Sequence, residues 1–283
     1  MGILSPREVE LLKRYVQEGG KLLVTGQTGQ FGARGNPLDE TVLADLIGAR
    51  VKERLDTEDN WISLTAPSDL PAPTGKRLSA GLRLDWPFLV KGPATVYEPT
   101  TAKPNGYLHK PHRTNRQLEG KMGTDWPMSA DGPVGPAILL NRFGKGTVVT
   151  CTASPDYASA SEHAIVEDRI LFRNAFDALI PRRRVEITAP ANVEAVVTDD
   201  PESRTLRVHF LAYNPTPRTT PQGNRPFVLP GMIEDEPIFR VSCTFREPPQ
   251  ACEALNPNTE LHQSGSKIEA TIESIHEVLI LRY

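Results

Sequence analysis

The sequence predicts an α/β domain over residues 1–181, followed by an all-β sandwich domain over residues 185–283. A helix–turn–strand unit over residues 4–31 opens the first domain, and a strong amphipathic helix at Ala164–Ile180 closes it. Beyond that helix the pattern changes to short β-branched or alternating runs separated by turn residues, with no helical period. The length of 283 residues also exceeds the roughly 100–200 residues of a usual single domain, which favours two domains.

The first helix and the first strand have clear boundaries. Ser5 is placed to cap the helix, with Pro6 at the first helical position and Glu8 completing a capping box. Two consecutive glycines at positions 19 and 20 supply the left-handed residue that ends the helix. The run Lys21–Thr25 shows no polar alternation, so we expect a strand covered on both faces in a parallel sheet.

The loop Gly26–Gly29 follows this strand, at the position where open α/β sheets bind ligands. A nucleophile elbow would place Ser or Cys here, and the loop has neither. Thr25 and Thr28 lack a histidine nearby in sequence, so loop packing is the favoured role for them. The glycines at positions 26, 29 and 32 depart from the G-x-G-x-x-G spacing of dinucleotide-binding proteins, and we expect no cofactor.

The rest of the first domain alternates clear and unclear segments. The segment VLADLIG predicts a short helix capped by Asp39 or Thr41 and ended by Gly48, and a strand is expected near Ala49–Leu55. Two apolar runs within residues 136–152 predict a hairpin at the edge of the sheet.

Residues 56–136 are irregular and rich in proline. Only two strand-like runs occur in this region, at Trp61–Leu64 and Ala94–Glu98. A long region of this kind is either a functional insertion or a sign that elements have been missed.

Composition excludes several function classes. The net charge is −3 and the pI is about 6.1, which gives no strong attraction to nucleic acid or to an anionic membrane. The first residues have no signal-peptide pattern, and no apolar run approaches the roughly 20 residues of a spanning helix. We therefore expect a cytoplasmic protein.

Cysteine and histidine spacing predicts no metal site. Cys151, Cys243 and Cys252 form neither a zinc pattern nor a disulfide framework and are expected to be buried or idle thiols, although Cys243 and Cys252 could meet across adjacent strands. His109 and His112 are candidate metal ligands, but the proline between them prevents a shared helical face. Surface residues are the favoured interpretation of this pair.

Aromatic residues of the irregular region are the candidate contact residues. They are Trp61, Trp86, Trp126 and Tyr107. Their rings could stack on sugars or anchor an interface, while the alternative is that they are simply buried. Asp85, Asp125 and Asp131 lie in the same region, but a glycosidase pair is defined by a separation in space that sequence does not give.

Several segments, taken in order, resemble one family. They are LSPREVELLKRYVQEGGKLLVTG, LADLIG, NRFGKGTVV, the helix ending in RNAFDAL, and VEITAPANVEAVV followed by LRVHFLAYN. They resemble the back half of certain glycoside hydrolases: the beta-galactosidase trimerisation domain, which is a class I glutamine amidotransferase-like α/β domain, and the small β-sandwich after it. The resemblance implies a flavodoxin-like first domain. It covers both ends of the chain well and residues 56–136 poorly.

The resemblance also bears on catalysis. In that family the catalytic carboxylates belong to an upstream TIM barrel, so no catalytic residue carries over to this chain. In true amidotransferases the nucleophilic cysteine follows the strand that corresponds to Leu22–Thr25. Here Gly26, Gln27 and Thr28 occupy that turn, which implies that amidotransferase activity is absent. The family would place strands before the first helix, so we expect the first domain to be N-terminally incomplete.

Two hypotheses of function follow. The favoured one is a non-catalytic structural and oligomerisation module of a carbohydrate-active enzyme that lacks its TIM barrel. Its partners would be further copies of the chain, as in a trimer, or a separate TIM-barrel chain, with the tryptophan-bearing region supplying much of the contact. The alternative is a stand-alone hydrolase, or a divergent amidotransferase-like enzyme, acting through residues 56–136.

Overall fold

The computed structural model describes residues 2–56, 59–64, 78–84, 86–112, 130–160, 165–180, 183–190, 192–212 and 238–283. The chain divides into two compact units, Met1–Pro181 and Arg182–Tyr283. Among the described helices, none is both long enough and apolar enough to cross a membrane.

The first unit contains four helices and eight strands in its described residues. The helices are α1 (Pro6–Gln17), α2 (Ala44–Ile47), α3 (Pro155–Ala160) and α4 (Val166–Leu179). The strands are β1 (Lys21–Thr25), β2 (Ala49–Leu55), β3 (Asp59–Ser63), β4 (Phe88–Lys91), β5 (Ala94–Pro99), β6 (Lys103–Pro111), β7 (Ala130–Phe143) and β8 (Gly146–Cys151).

Six of these strands form one mixed sheet, in the order β1-β8-β7-β6-β3-β4, while β2 and β5 form a separate antiparallel pair. Among the described strands of this sheet, β1 and β8 form the one parallel pair, with Lys21 opposite Thr147 and Thr25 opposite Cys151. The other pairs of the six-stranded sheet are antiparallel. A flavodoxin-like parallel sheet is therefore not evident in the described strands, and β1 lies at an edge of the sheet.

One further expectation about this sheet was wrong, and one open alternative is decided. The hairpin of β7 and β8 is internal, because β1 covers one side of it and β6 the other. For residues 56–136 the second alternative holds, because elements had been missed: β4 and β6, together with the expected β3, complete the sheet. The missed strand β6 contains Pro104, Gly106 and Pro111, which ordinarily interrupt strands, and its register with β7 shifts twice.

The start of α1 is as the sequence predicted. Ser5 Oγ accepts a hydrogen bond from the Glu8 backbone N–H, and the Glu8 carboxylate accepts one from the Ser5 N–H. The helix ends at Glu18, and Gly19 follows with φ of 116°. The C-terminal turn rests against the β7–β8 hairpin, where a Cβ on Gly146 would lie 2.1 Å from the Val16 carbonyl oxygen.

Helix α2 is shorter than predicted and is held at its C-terminus by a buried asparagine. The expected cap at Asp39 or Thr41 was wrong, because the N-cap is Leu43 and no side chain caps it, whereas Gly48 ends the helix in the left-handed conformation as expected. Asn141 of β7 donates from Nδ2 to the Leu46 carbonyl at 2.9 Å and accepts from the Thr101 hydroxyl at 3.0 Å. One side chain thus joins a helix end, a turn and the sheet.

Apolar side chains cover β1 and β8 on both faces. On one face, Leu22 and Val24 of β1 pack with residues of α1 and α2, including Val16 and Leu46. On the other face, Leu23 packs against a cluster that contains Leu171 of α4. The expectation of a strand covered on both faces is met, although by a sheet that is mostly antiparallel.

The second unit is a β-sandwich. Its strands are β9 (Val185–Thr188), β10 (Val193–Asp200), β11 (Thr205–Ala212), β12 (Phe239–Phe245), β13 (Ala251–Ala254), β14 (Glu260–Ser264), β15 (Lys267–Ile272) and β16 (His276–Arg282). They form two antiparallel sheets, β10-β11-β16-β13 and β14-β15-β12-β9. Alternate residues such as Val208, Phe210, Cys243 and Ile268 share one core.

We predict that Asn141→Leu destabilises the protein by at least about 2 kcal/mol, because it leaves the Leu46 carbonyl and the Thr101 hydroxyl without their buried partner. Asn258→Leu is the matched control, since Asn258 is exposed and its side chain makes no hydrogen bond with the described residues. Urea unfolding of both variants measures the difference. Equal midpoints for the two variants would show that the buried asparagine contributes little.

Candidate functional site

The turn after β1 lies beside the end of β8, because the two strands run parallel and end at the same edge. The Gly26 N–H donates to the carbonyl oxygens of Cys151 and Ala153, both at 3.0 Å. Gly26 has φ of 52°, and a Cβ on it would lie 2.0 Å from the Ser154 hydroxyl oxygen. The turn is therefore tightly packed at the position where α/β sheets bind ligands.

The polar side chains of this turn are already hydrogen-bonded within the protein. Thr25 Oγ1 donates to Asp156 Oδ2 at 3.1 Å, and Thr28 Oγ1 donates to the Thr25 carbonyl at 2.7 Å. Gln27 Nε2 donates to Asp56 Oδ1 at 3.0 Å. The hydrogen-bond partners of these two threonine hydroxyls are thus a carboxylate and a backbone carbonyl, and neither is the histidine that would usually activate a hydroxyl nucleophile.

Cys151 is the cysteine that lies next to this turn, and its chemistry is that of an inert thiol. Burial, with a smaller contribution from the nearby Asp156 carboxylate, raises the pKa of the Cys151 thiol to about 12. The thiolate is the nucleophilic form, and catalytic cysteines have lowered pKa values. Cys151 is fully buried, which also separates it from solvent.

The other two cysteines are free thiols in the core of the second unit. Cys243 lies on β12 and Cys252 on β13, strands of two different sheets, so they do not meet across adjacent strands. Burial raises the pKa of Cys243 to about 12 and that of Cys252 to about 11.

The candidate aromatic residues are only partly brought together. Trp61 of β3 and Tyr107 of β6 lie on the same face of adjacent strands, since Trp61 pairs with His109 and Ser63 pairs with Tyr107. The Trp61 indole N–H is buried and has no hydrogen-bond partner among the described residues. Trp86 lies in a separate loop, while Trp126 falls outside the described residues, as do Asp85 and Asp125.

Trp86 is the most exposed of the described candidates. Its exposed fraction is 59%, and the Arg83 guanidinium lies 4.9 Å from the centre of its ring. Leu84, next to Arg83, is also exposed. This short segment therefore offers a tryptophan, an arginine and a leucine to solvent.

A Ser–His pair that sequence reasoning missed links three strands of the sheet. Ser63 Oγ lies 2.7 Å from His109 Nε2, and His109 Nδ1 lies 2.9 Å from the backbone carbonyl of Asp131. If Nδ1 carries the proton and donates it to that carbonyl, Nε2 accepts from the serine hydroxyl, which is the arrangement of a nucleophile, a base and an orienting group. Ser63 and His109 are 7% and 8% exposed, so solvent barely reaches the pair.

The metal hypothesis for His109 and His112 is not supported by this geometry. Both ring nitrogens of His109 have partners inside the protein, while His112 is exposed at the end of the described segment. Within the described residues no group of three or more His, Cys, Asp or Glu side chains is arranged to hold a metal ion. The sequence shows that Ser63 lies in one strand-like run, but only the register between β3 and β6 shows that it meets His109.

No protein-family model matches the chain, and no curated protein matches it. Solved structures do resemble it. An alpha-L-fucosidase isoenzyme 2 from Paenibacillus thiaminolyticus is 14% identical with a TM-score of 0.67, covering 100% of this chain and 40% of that chain. A beta-galactosidase from Rahnella sp. R3 is 14% identical with a TM-score of 0.55, covering 98% of this chain and 30% of that one.

A beta-galactosidase from Bacillus circulans sp. alkalophilus is 15% identical with a TM-score of 0.53, covering 100% of this chain and 32% of that one. At these identities the likeness is one of fold. The chain spans between 30% and 40% of the length of these three structures.

We predict that stability falls as the pH rises above about 8.5, and falls less steeply in Cys151→Ala. The pKa of the Cys151 thiol is about 12 in the folded protein and about 8.5 in an unfolded chain, so the unfolded chain loses its proton first. The stabilisation is complete below pH 8.5 and is lost as the pH rises towards 12. The thiol contributes up to about 1.4 kcal/mol per pH unit in this range.

Urea unfolding at pH 8, 9 and 10 measures this slope for the parent and for Cys151→Ala. A slope that is unchanged in the variant would contradict the buried, protonated thiol. Labelling with a thiol reagent at pH 8 is the parallel control, in which native Cys151 is expected to stay unmodified until denaturant is added.

Proposed function

We propose that this chain is a non-catalytic structural and assembly module of a carbohydrate-active enzyme of the glycoside hydrolase kind. The observation that carries the proposal is the fold. The whole chain superimposes on 30–40% of the length of an alpha-L-fucosidase and of beta-galactosidases. A fold that makes up a minority of a hydrolase chain fits a module that accompanies a catalytic domain.

The finer assignment is to the beta-galactosidase trimerisation domain and its amidotransferase-like ancestry. Its support is the strand-end turn that the resemblance matches to the amidotransferase nucleophile, where Gln27 and Thr28 hydrogen-bond within the protein. The buried Cys151 thiol beside the turn has the raised pKa of a packing residue. These features agree with a strand-end turn that carries no activated nucleophile, while the mostly antiparallel sheet differs from a flavodoxin-like one.

The exposed segment around Trp86 supports an assembly role. Tryptophan and arginine are the residues that most often dominate binding energy at interfaces, and both are presented here side by side. We propose that Arg83 and Trp86 anchor a contact with further copies of the chain, as in a trimer, or with a separate TIM-barrel chain.

A second candidate function is a stand-alone hydrolase, and one observation favours it. Ser63, His109 and the Asp131 carbonyl have the distances of a serine nucleophile, its base and an orienting acceptor. Against this candidate stands the burial of the pair. A role in holding β3, β6 and β7 together accounts for the same hydrogen bonds.

We predict no turnover of aryl glycosides, aryl esters or glutamine by the purified chain above the rate of a Ser63→Ala variant. The reason is that the Ser63 hydroxyl is shielded and the strand-end turn has no activated nucleophile. Release of nitrophenol and of ammonia measures these reactions. Turnover by the parent that is lost in both Ser63→Ala and His109→Ala would establish the hydrolase instead.

We predict that the chain self-associates, or binds a glycoside hydrolase TIM-barrel chain, and that Trp86→Ala weakens the association at least about tenfold. Tyr157→Ala is the matched control, because Tyr157 is an equally exposed aromatic residue on α3. Sedimentation velocity over a range of concentrations, alone and with the barrel chain, measures both. A strict monomer that binds no barrel chain would refute the assembly role.

A further inference from the structure

The second unit carries a cleft of about 560 Å³ on the outer face of the sheet β14-β15-β12-β9. The core-facing residues of this sheet, such as Val241, Ile268 and Ala270, alternate with the side chains that point into the cleft. The volume lies within the roughly 300–1,000 Å³ that is usual for small-molecule sites. Nothing in the proposed assembly function uses this face.

The strand register arranges the cleft side chains in two rows. In the first row Thr271 of β15 lies between Arg240 of β12 and Glu260 of β14. In the second row Glu269 lies between Ser242 and His262 on the same strands. Because neighbouring strands are about 4.8 Å apart, each row extends about 10 Å.

The charges around the cleft balance each other. The Lys267 ammonium lies 2.8 Å from Glu269 Oε1, and this hydrogen bond lowers the pKa of the Glu269 carboxyl. The side chains of Arg240 and Glu260, on opposite sides of Thr271, make no hydrogen bond or ion pair with any residue that the structure describes. One unpaired cationic side chain, Arg240, and one unpaired anionic side chain, Glu260, therefore face the cleft, while the second carboxylate, Glu269, is paired with Lys267.

The lining also determines which kind of ligand would fit. Within the described part of the chain no Phe, Tyr or Trp side chain lines the cleft, and the His262 imidazole is the one aromatic ring in the described lining. The half-buried hydroxyl groups of Ser242 and Thr271 can both donate and accept. A strongly anionic ligand would meet two carboxylates, and a strongly cationic one would meet Arg240. Hydroxyl groups match such alternating donors and acceptors, because each hydroxyl is itself both.

We propose that this cleft binds a neutral polyhydroxylated ligand, of the size of a short saccharide, through Arg240, Glu260 and the serine and threonine hydroxyls between them. Such a site binds through hydrogen bonds alone and has a modest affinity. It is separate from the assembly contact around Trp86, and neither proposal depends on the other.

Amide chemical shifts of the full chain, labelled with nitrogen-15, test this site. The probes are the neutral trisaccharides cellotriose, maltotriose and β-1,4-galactotriose, with inorganic phosphate as the anionic comparison. We expect at least one trisaccharide to shift amides at residues 240–242, 260–262 and 269–271. Arg240→Gln should weaken this binding at least about tenfold, since a charge-assisted hydrogen bond is lost. Arg282→Gln, an exposed arginine on the other sheet, should not change it.

Three results would overturn the proposal. The first is the absence of shifts with all three trisaccharides. The second is binding of phosphate alone, which would make the cleft an anion site. The third is saccharide binding that Arg240→Gln leaves unchanged, or that maps to amides elsewhere. Because Arg240 is exposed, its replacement is not expected to unfold the protein, and the dispersion of the amide spectrum checks this directly.

Discussion

The parallel pairing of β1 with β8 is the constraint on which the first unit depends. Parallel neighbours need a long connection, and here that connection contains α2 and every strand from β2 to β7. The other four strands of the sheet therefore lie in the chain segment that connects β1 to β8. The same pairing brings the turn after β1 against residues 151–154, because parallel strands end at one edge.

The consequences of this pairing reach the helices. With β1 and β8 side by side, α1 and α2 cover one face and α4 covers the other. The Asn141 amide then links α2 to β7 by hydrogen bonds. Gly48 lets the Asn141 side chain come this close to the end of α2, since a Cβ on Gly48 would lie 2.5 Å from Asn141. Apolar packing and hydrogen bonding therefore stabilise the same arrangement of the helices around the sheet.

The strand-end turn and the cleft of the second unit illustrate opposite uses of polar residues. At the turn, Thr25, Gln27 and Thr28 find partners within the protein, and Cys151 is shielded by burial. In the cleft, Arg240 and Glu260 face each other across Thr271 and have no partner in the described residues. Polar groups that satisfy each other stabilise a fold, whereas groups held apart by strand register remain available to a ligand.

Local chemistry let the sequence determine the start of α1, the end of α2 at Gly48, strand β2, helix α4 and the all-β character of the second unit. Each depends on neighbours in the chain: Ser5 and Glu8 satisfy backbone groups three residues apart, and a glycine alone can end a helix in the left-handed conformation. The lack of a Ser or Cys nucleophile in the turn after β1 was likewise visible in the sequence. Strand register, in contrast, is not determined by residues that are neighbours in the chain.

Only the tertiary structure decided which strands pair and which distant side chains meet. Pro104 and Gly106 make β6 hard to predict from its sequence, yet it pairs with both β7 and β3, and the pairing with β3 places His109 beside Ser63. The mostly antiparallel sheet, the edge position of β1 and the placement of Cys243 and Cys252 on different sheets were not predictable for the same reason. The energy of strand pairing depends on partner residues far away in the chain. The alternation of apolar and polar residues in a strand predicts only which of its side chains face the core.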